Sequence, residues 1–167
     1  MRFKIETGDA NPILRAVSPD IRPEVFRKYA PLAEAMVKYV KNPDNRCVGV
    51  AAPQVGQNVR LIAVSLLSSY DDETYRTVAM FNPTVLEKSD MLESDSEGCL
   101  SVPGMRGDVM RPKRVKLRYF DAKGAAFVRE MEGLMARVVQ HEIDHLDGVL
   151  FTDKTVGEAV FDTEEAL

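Results

Sequence analysis

The stretch Gln140-His141-Glu142-Ile143-Asp144-His145-Leu146-Asp147-Gly148 constrains this chain more than any other. The sequence of 167 residues holds two histidines, and both fall here. They are four residues apart, so on an α-helix their imidazoles stand one turn above each other on one face. Glu142 follows the first and points close to the same place. This HExxH pattern suits two metal ligands and a general base. Around it, Leu134, Met135, Val138, Val139 and Ile143 recur at helical spacing, which predicts a buried helix. Gly133 marks its start and Gly148 its stop. A site on such a helix is rigid and shielded.

A zinc-type catalytic centre takes three protein ligands and keeps one position open for water. No third histidine exists to complete it. Glu158, Glu164 and Glu165 lie in an acidic tail with little to fix them. Cys99, within Glu97-Gly98-Cys99-Leu100-Ser101, is the better candidate, because a thiolate binds soft and borderline metals and Gly98 lets the backbone come close. Ligand types alone point to zinc. A metalloprotease drawing its third ligand from the tail is the rival reading.

The rest of the chain bounds the answer. One compact domain is the default at this length, expected over residues 1–153 with an acidic C-terminal tail over 154–167. A formal charge of −4 argues against an electrostatic nucleic-acid binder. No apolar run reaches the length of a membrane span, so no membrane partner is expected. The N-terminal residues mix charges without an apolar core, and neither a secretion signal nor a transit peptide is evident. Two cysteines, Cys47 and Cys99, make no disulfide framework; a reducing cytoplasm fits better. A monomer is expected.

Read in order, residues 1–20 are expected to be extended, with Pro12 and Pro19 breaking any helix. Residues 21–41 show a helical apolar repeat in which Pro31 marks a kink or the first turn of the main helix. A turn at 42–45 precedes the small-residue stretch Cys47-Val48-Gly49-Val50-Ala51-Ala52-Pro53-Gln54-Val55-Gly56, which lets the backbone pass close to a strand or a ligand. Strands are expected at 60–65, 78–82 and 84–88, the last two joined at Pro83. Pro103-Gly104 reads as a turn, residues 113–121 alternate like a strand, and Lys123-Gly124 opens a hairpin into 125–132. The tail beyond Asp153 is expected to fray. The fold class is α+β: largely antiparallel β-sheet around a central buried helix, with an N-terminal helix.

Three stretches now stand together: Gly49-Val50-Ala51-Ala52-Pro53-Gln54, Glu97-Gly98-Cys99-Leu100-Ser101 and His141-Glu142-Ile143-Asp144-His145. In that order and spacing the chain resembles peptide deformylases of bacterial type, which remove the formyl group from N-terminal formylmethionine of new polypeptides. The resemblance implies a cytoplasmic hydrolase acting on N-formylmethionyl peptides. It implies Cys99, His141 and His145 as metal ligands and Glu142 as the catalytic acid and base. Gln54 and the backbone N–H of Leu100 are implied as oxyanion donors. Val48 and Gly49 are implied to pair with the peptide backbone, while Val48, Leu134 and Val138 line the methionine pocket and Arg106 stands near the peptide entrance. Glu97 is expected to pair with Arg111 and hold the cysteine loop, and Asp144 to lie outside the ligand set. Ferrous iron is the metal the resemblance implies, with nickel, cobalt or zinc able to replace it.

Some residues depart from the family pattern. Cys47 stands where the first motif usually begins with glycine, and Arg46 precedes it. Arg137 is expected to alter the pocket rim. The acidic end lacks the basic helix through which many members dock on the ribosome, so ribosome contact is expected to be transient at most. These departures motivate a second rival, a relative that binds peptides without catalysis.

Overall fold

In the computed structural model, which describes residues 3–161, helices are placed where apolar stripes demand burial. Helix α1 (Pro12–Arg15) opens with Pro12 at its first position, and the Asn11 side chain caps it by accepting from the Ile13 N–H at 3.0 Å. Pro12 therefore starts a helical turn rather than preventing one, because its missing N–H would be unpaired there in any case. A 3₁₀ turn (Pro23–Val25) leads into α2 (Phe26–Lys41), which carries Pro31 in its interior. The proline is tolerated because it faces solvent, where the Arg27 carbonyl it leaves without a partner can be hydrated.

Among the described residues eight strands follow or surround these helices: β1 (Gly49–Ala51), β2 (Leu61–Ser65), β3 (Thr77–Lys88), β4 (Leu92–Cys99), β5 (Val102–Pro112), β6 (Arg114–Phe120), β7 (Ala126–Glu132) and β8 (Val160–Phe161). One antiparallel sheet has the order β1-β2-β3-β6-β7, and a second has the order β4-β5-β8. Strand β2 is buried along its whole length. Its Leu61 and Ala63 meet α2, whereas Ile62 and Val64 face the opposite way toward α3 (Leu134–Leu146). Alternating side chains thus give the first sheet two apolar faces, each covered by one helix. The hairpin of β4 and β5 packs beyond α3, with Val102, Val109, Leu150 and Phe151 forming a small third core.

The packing of α2 is expected to be worth a measurable share of stability. Phe26 is buried with its ring 5.0 Å from Phe81 and 5.7 Å from Phe120, centroid to centroid. Phe26→Ala should cost about 3–5 kcal/mol, read as a lower urea midpoint with an unchanged m-value.

Three further local expectations need correction. Residues 77–88 form one strand through Pro83, not two, because register shifts between Phe81 and Thr84 and between Val85 and Glu87 absorb the missing donor. Asn82, at φ +46°, turns its amide to bond both the N–H and the carbonyl of Ile21 at 2.9 and 2.8 Å. Pro103-Gly104 does not turn the chain; it lies within β5, and the reversal comes at Leu100 and Ser101. Beyond Asp153 the chain does not fray at once: Thr155 bridges Val109, and β8 pairs with Met105 and Arg106. Residues 162–167 of the acidic tail, with Glu164 and Glu165, lie outside the described residues.

Candidate active site

The HExxH stretch lies on α3 as expected. Gly133 precedes it at φ +61°, ψ −131°, and Gly148 follows it at φ +73°. A Cβ on Gly148 would collide with the Arg15 carbonyl oxygen, so glycine is required by close approach as well as by conformation. Ala136, Val138, Val139, Ile143 and Leu146 anchor the helix in the first core. That orientation turns His141, Glu142 and His145 toward the cysteine loop.

One ligand atom from each of Cys99, His141 and His145 falls in a group no wider than 4.8 Å. Cys99 Sγ lies 3.3 Å from His145 Nε2. His141 uses Nδ1 to meet Glu97 Oε2 at 2.8 Å, leaving Nε2 for the cluster. Three donors bound at ordinary metal distances stand roughly 3–4 Å apart, so the donor types and their spacing fit a metal ion. Glu158 is not part of the group. Burial alone would push the Cys99 thiol up, but the His145 and His141 imidazoles outweigh it and hold it well below its ordinary value. A thiolate is thus favoured where a ligand is needed.

Behind the cluster lies a charge network. Glu97, buried at the end of β4, receives Arg111 Nε at 2.6 Å and Nη2 at 2.9 Å, and Arg137 Nη1 at 2.8 Å. Burial pushes its carboxyl up, yet the hydrogen bonds from Arg111 and His141 hold it well below the usual range. Arg137 therefore does more than border the pocket: its guanidinium also donates to the carbonyls of Val109 and Glu93 and ties the small sheet to α3. Asp144 accepts from Arg111 and Lys154 at 2.8 Å each and lies outside the donor group.

Glu142 is 4 % exposed, and its Oε2 has no hydrogen-bond partner among the described residues. Burial pushes its carboxyl up to about 7, opposed by the neighbouring His141 and His145 imidazoles. Its other oxygen lies over Gly49, where a Cβ would approach it to 2.6 Å; the β1 backbone comes this close because Gly49 has no side chain. Gln54 sits on a buried 3₁₀ turn (Ala52–Val55), and its Oε1 accepts from the Ala51 N–H at 2.8 Å. That bond fixes the amide, so Nε2 faces Ser101 Oγ at 3.2 Å and Cys99 Sγ at 3.5 Å.

These groups open into a cavity of about 340 Å³. Gln54, Cys99, Leu100, His141 and Glu142 form its polar lining. Val48, Gly49, Leu134 and Val138 supply an apolar wall, and Arg106 stands exposed at its edge. His145 lies behind Cys99 and is buried. All the singled-out residues therefore meet at one place.

The sequence reading had passed over Ser101, which receives Gln54 and gives its N–H to Cys99 Sγ at 3.4 Å, and Tyr70, on the loop after β2. It had also missed the N-terminal strap. Glu6 N–H donates to the Gln54 carbonyl, Gly8 N–H to Ser101 and Ser18 N–H to Leu146, so one segment ties all three motif stretches from behind. Only Ser101 had a signal, its place in the cysteine stretch.

Cys47 borders the same cavity. Burial pushes its thiol up to about 12, with the nearby Glu142 adding to the shift. In metal-free protein at pH 8, iodoacetamide should modify Cys99 and leave Cys47 essentially untouched, as peptide mass mapping would show.

The polypeptide deformylase family matches residues 4–159. The chain belongs to that family. Its members remove the N-formyl group from nascent peptides and depend on a metal. The chain is 44 % identical over 107 residues to the peptide deformylase of Chlorobaculum parvum, a match covering 64 % of this chain and 57 % of that protein. It is 39 % identical over 148 residues to the peptide deformylase of Cytophaga hutchinsonii, covering 86 % and 77 %. Among solved structures, the Met-Ala-Ser-bound class I type b peptide deformylase of Acinetobacter baumannii superposes with a TM-score of 0.83 at 32 % identity, over 92 % of this chain and 98 % of the other. The antiparallel sheets and few helices described above are the peptide deformylase fold. Among the described residues no helix is long and apolar enough to cross a membrane.

Proposed function

We propose that this chain hydrolyses the formyl group from N-formylmethionyl peptides, with Cys99, His141 and His145 holding one divalent metal ion and Glu142 moving the proton. The observation that carries this reading is the unpartnered, buried Glu142 carboxylate set beside a thiol and two imidazoles within 4.8 Å of one another. A buried carboxyl without a partner costs stability, which is typical of a group kept for chemistry.

A metal held there supplies Lewis acidity and makes water a better nucleophile near neutral pH. Glu142 takes a proton from the attacking water as its oxygen bonds to the formyl carbon. The carbonyl oxygen gains negative charge, and Gln54 Nε2–H and the Leu100 N–H donate to it; one such donor is typically worth about 3 kcal/mol. As the C–N bond breaks, Glu142 returns the proton to the departing amine and formate leaves. Val48 and Gly49 pair with the peptide backbone in strand fashion, while Val48, Leu134 and Val138 receive the methionine side chain. Arg106 borders the entrance.

We take ferrous iron as the native ion; zinc, nickel or cobalt suit the same donors. The catalytic domain spans residues 1–153, acts as a cytoplasmic monomer and meets the ribosome at most transiently; light scattering tests the monomer.

The deciding assay is formate release from formyl-Met-Ala-Ser by anaerobically prepared, iron-loaded protein. Folded, metal-loaded protein that released no formate would sink the reading. Cys99→Ala separates it from a protease with a carboxylate ligand. Metal content measured by plasma mass spectrometry should fall from about one ion per chain to a small fraction, and formate release with it.

A further inference from the structure

One cavity residue has no part in that chemistry. Arg46 follows a 3₁₀ turn (Pro43–Asn45) and adopts φ +46°, ψ +44°, the left-handed region that glycine and asparagine favour. The turn before it is internally bonded: Asn42 Oδ1 accepts from the Asp44 N–H, Asn45 Nδ2 donates to the Tyr39 carbonyl, and the Arg46 N–H donates to the Pro43 carbonyl. This geometry fixes the backbone but gives no reason for a long cationic side chain. Arg46 is exposed, and among the described residues its guanidinium makes no hydrogen bond or ion pair, yet it lines the cavity. A residue held in a costly conformation without packing reward, at the edge of a site, calls for a functional reason.

The geometry points to Arg46 as a specificity residue that favours formylated peptides with an acidic side chain at the third position. This rests on the deformylase reading above. Gly49 lies against Glu142, so the formyl group belongs at the level of Gly49. Residues 50–55 beyond it are all buried, so a peptide paired with this segment cannot leave in that direction. It must run antiparallel, out past Val48 and Cys47. Arg46 lies three residues before Gly49, where the chain has left the strand, and its side chain lines the cavity on the exit side, where the third peptide residue emerges. Arg106, bonded to Ser96 Oγ at 3.3 Å, adds a second cationic side chain at the cavity edge from β5. Inside, Glu97 is already held by Arg111 and Arg137. Arg46 therefore gives the exit a cationic side chain on a chain whose net charge is −4.

An exposed charge pair changes binding by a factor of roughly two to five, and attraction for aspartate combines with repulsion of lysine. The test compares kcat/KM for two C-terminally amidated peptides, formyl-Met-Ala-Asp and formyl-Met-Ala-Lys, in iron-loaded wild type, Arg46→Asn and Arg46→Glu. The wild type should prefer the aspartate peptide by about fivefold, a ratio that shrinks toward one in 0.5 M salt. Arg46→Asn, whose side chain tolerates the left-handed backbone, should reduce the ratio, and Arg46→Glu should bring it below one. Equal ratios in the wild type and the folded asparagine variant overturn the inference, even where the glutamate variant fails to fold. A wild type that releases no formate from these peptides or from formyl-Met-Ala-Ser overturns the deformylase reading itself.

Discussion

Glu142→Ala is expected to lower kcat for formyl-Met-Ala-Ser by about 10²–10⁴-fold while leaving metal content unchanged. The carboxylate is not in the donor group, so the metal has no reason to leave. Nor should the fold suffer. Glu142 is buried with one oxygen unpartnered, so truncation removes an unsatisfied group instead of creating one. The melting temperature of the variant should equal or exceed that of the wild type. Glu142→Gln provides the shape control: it keeps the side-chain volume and loses the basicity, and should be nearly as inactive as alanine. A glutamine variant with half the wild-type rate would show that Glu142 carries no proton. The pH profile follows from the same group. It must begin as a carboxylate, so kcat/KM falls as pH drops through its pKa. Burial puts that value at about 7 in the metal-free chain, and a divalent charge alongside draws it lower. The acidic limb should therefore have its midpoint below about 7.

Glu97→Gln should cost about 3–5 kcal/mol of stability at pH 7. The glutamine keeps one acceptor oxygen but sets an amide NH2 against donors on its other side, so the negative charge and half of the bonds from Arg111, Arg137 and His141 are lost, though Arg111 keeps Asp144. The sign with pH is fixed by the direction of the shift. The folded carboxyl is held below its ordinary value of 4.5. Its contribution is therefore complete above about pH 4.5 and is lost as pH falls from there toward the folded value. Unfolding free energies of wild type and variant, measured in urea from pH 3 to 8, should differ most near neutrality and converge in acid. A constant gap across that range would place the effect in packing and not in charge. Metal affinity should also fall, by roughly 10–100-fold, because Glu97 orients the His141 ring.

The helix carrying both histidines was legible because its signals agree: an apolar stripe, a glycine at each end and a motif tied to one turn of helix. Residues of the three motif stretches also meet in the structure, because short motifs carry their local geometry with them. Proline was the least legible residue. Pro12 starts a helix, Pro31 sits inside one and Pro83 inside a strand, since each occupies a place where no N–H is needed: a first turn, a solvent-facing side, a bulge. That depends on neighbours across the fold, which local sequence does not contain. Arg137 was legible only as part of the pocket rim, for the same reason. Its role depends on Glu97, forty residues away, and on the Glu93 carbonyl, forty-four away.

The strap formed by residues 6–18 bears on the order of assembly. Arg15 reaches Gly148 and Asp153 at sequence separations of 133 and 138, and Ser18 docks on Leu146. Closing such long loops brings an entropic cost before any contact returns it, so these bonds belong to a late step. On a growing chain the strap waits for partners not yet synthesised, while the first sheet and α2 can already form. The loops bearing Gln54 and Ser101 are clamped from behind only after that step. Competence to bind metal and substrate should therefore lag behind the appearance of secondary structure, and a refolding experiment followed by both signals would resolve two phases.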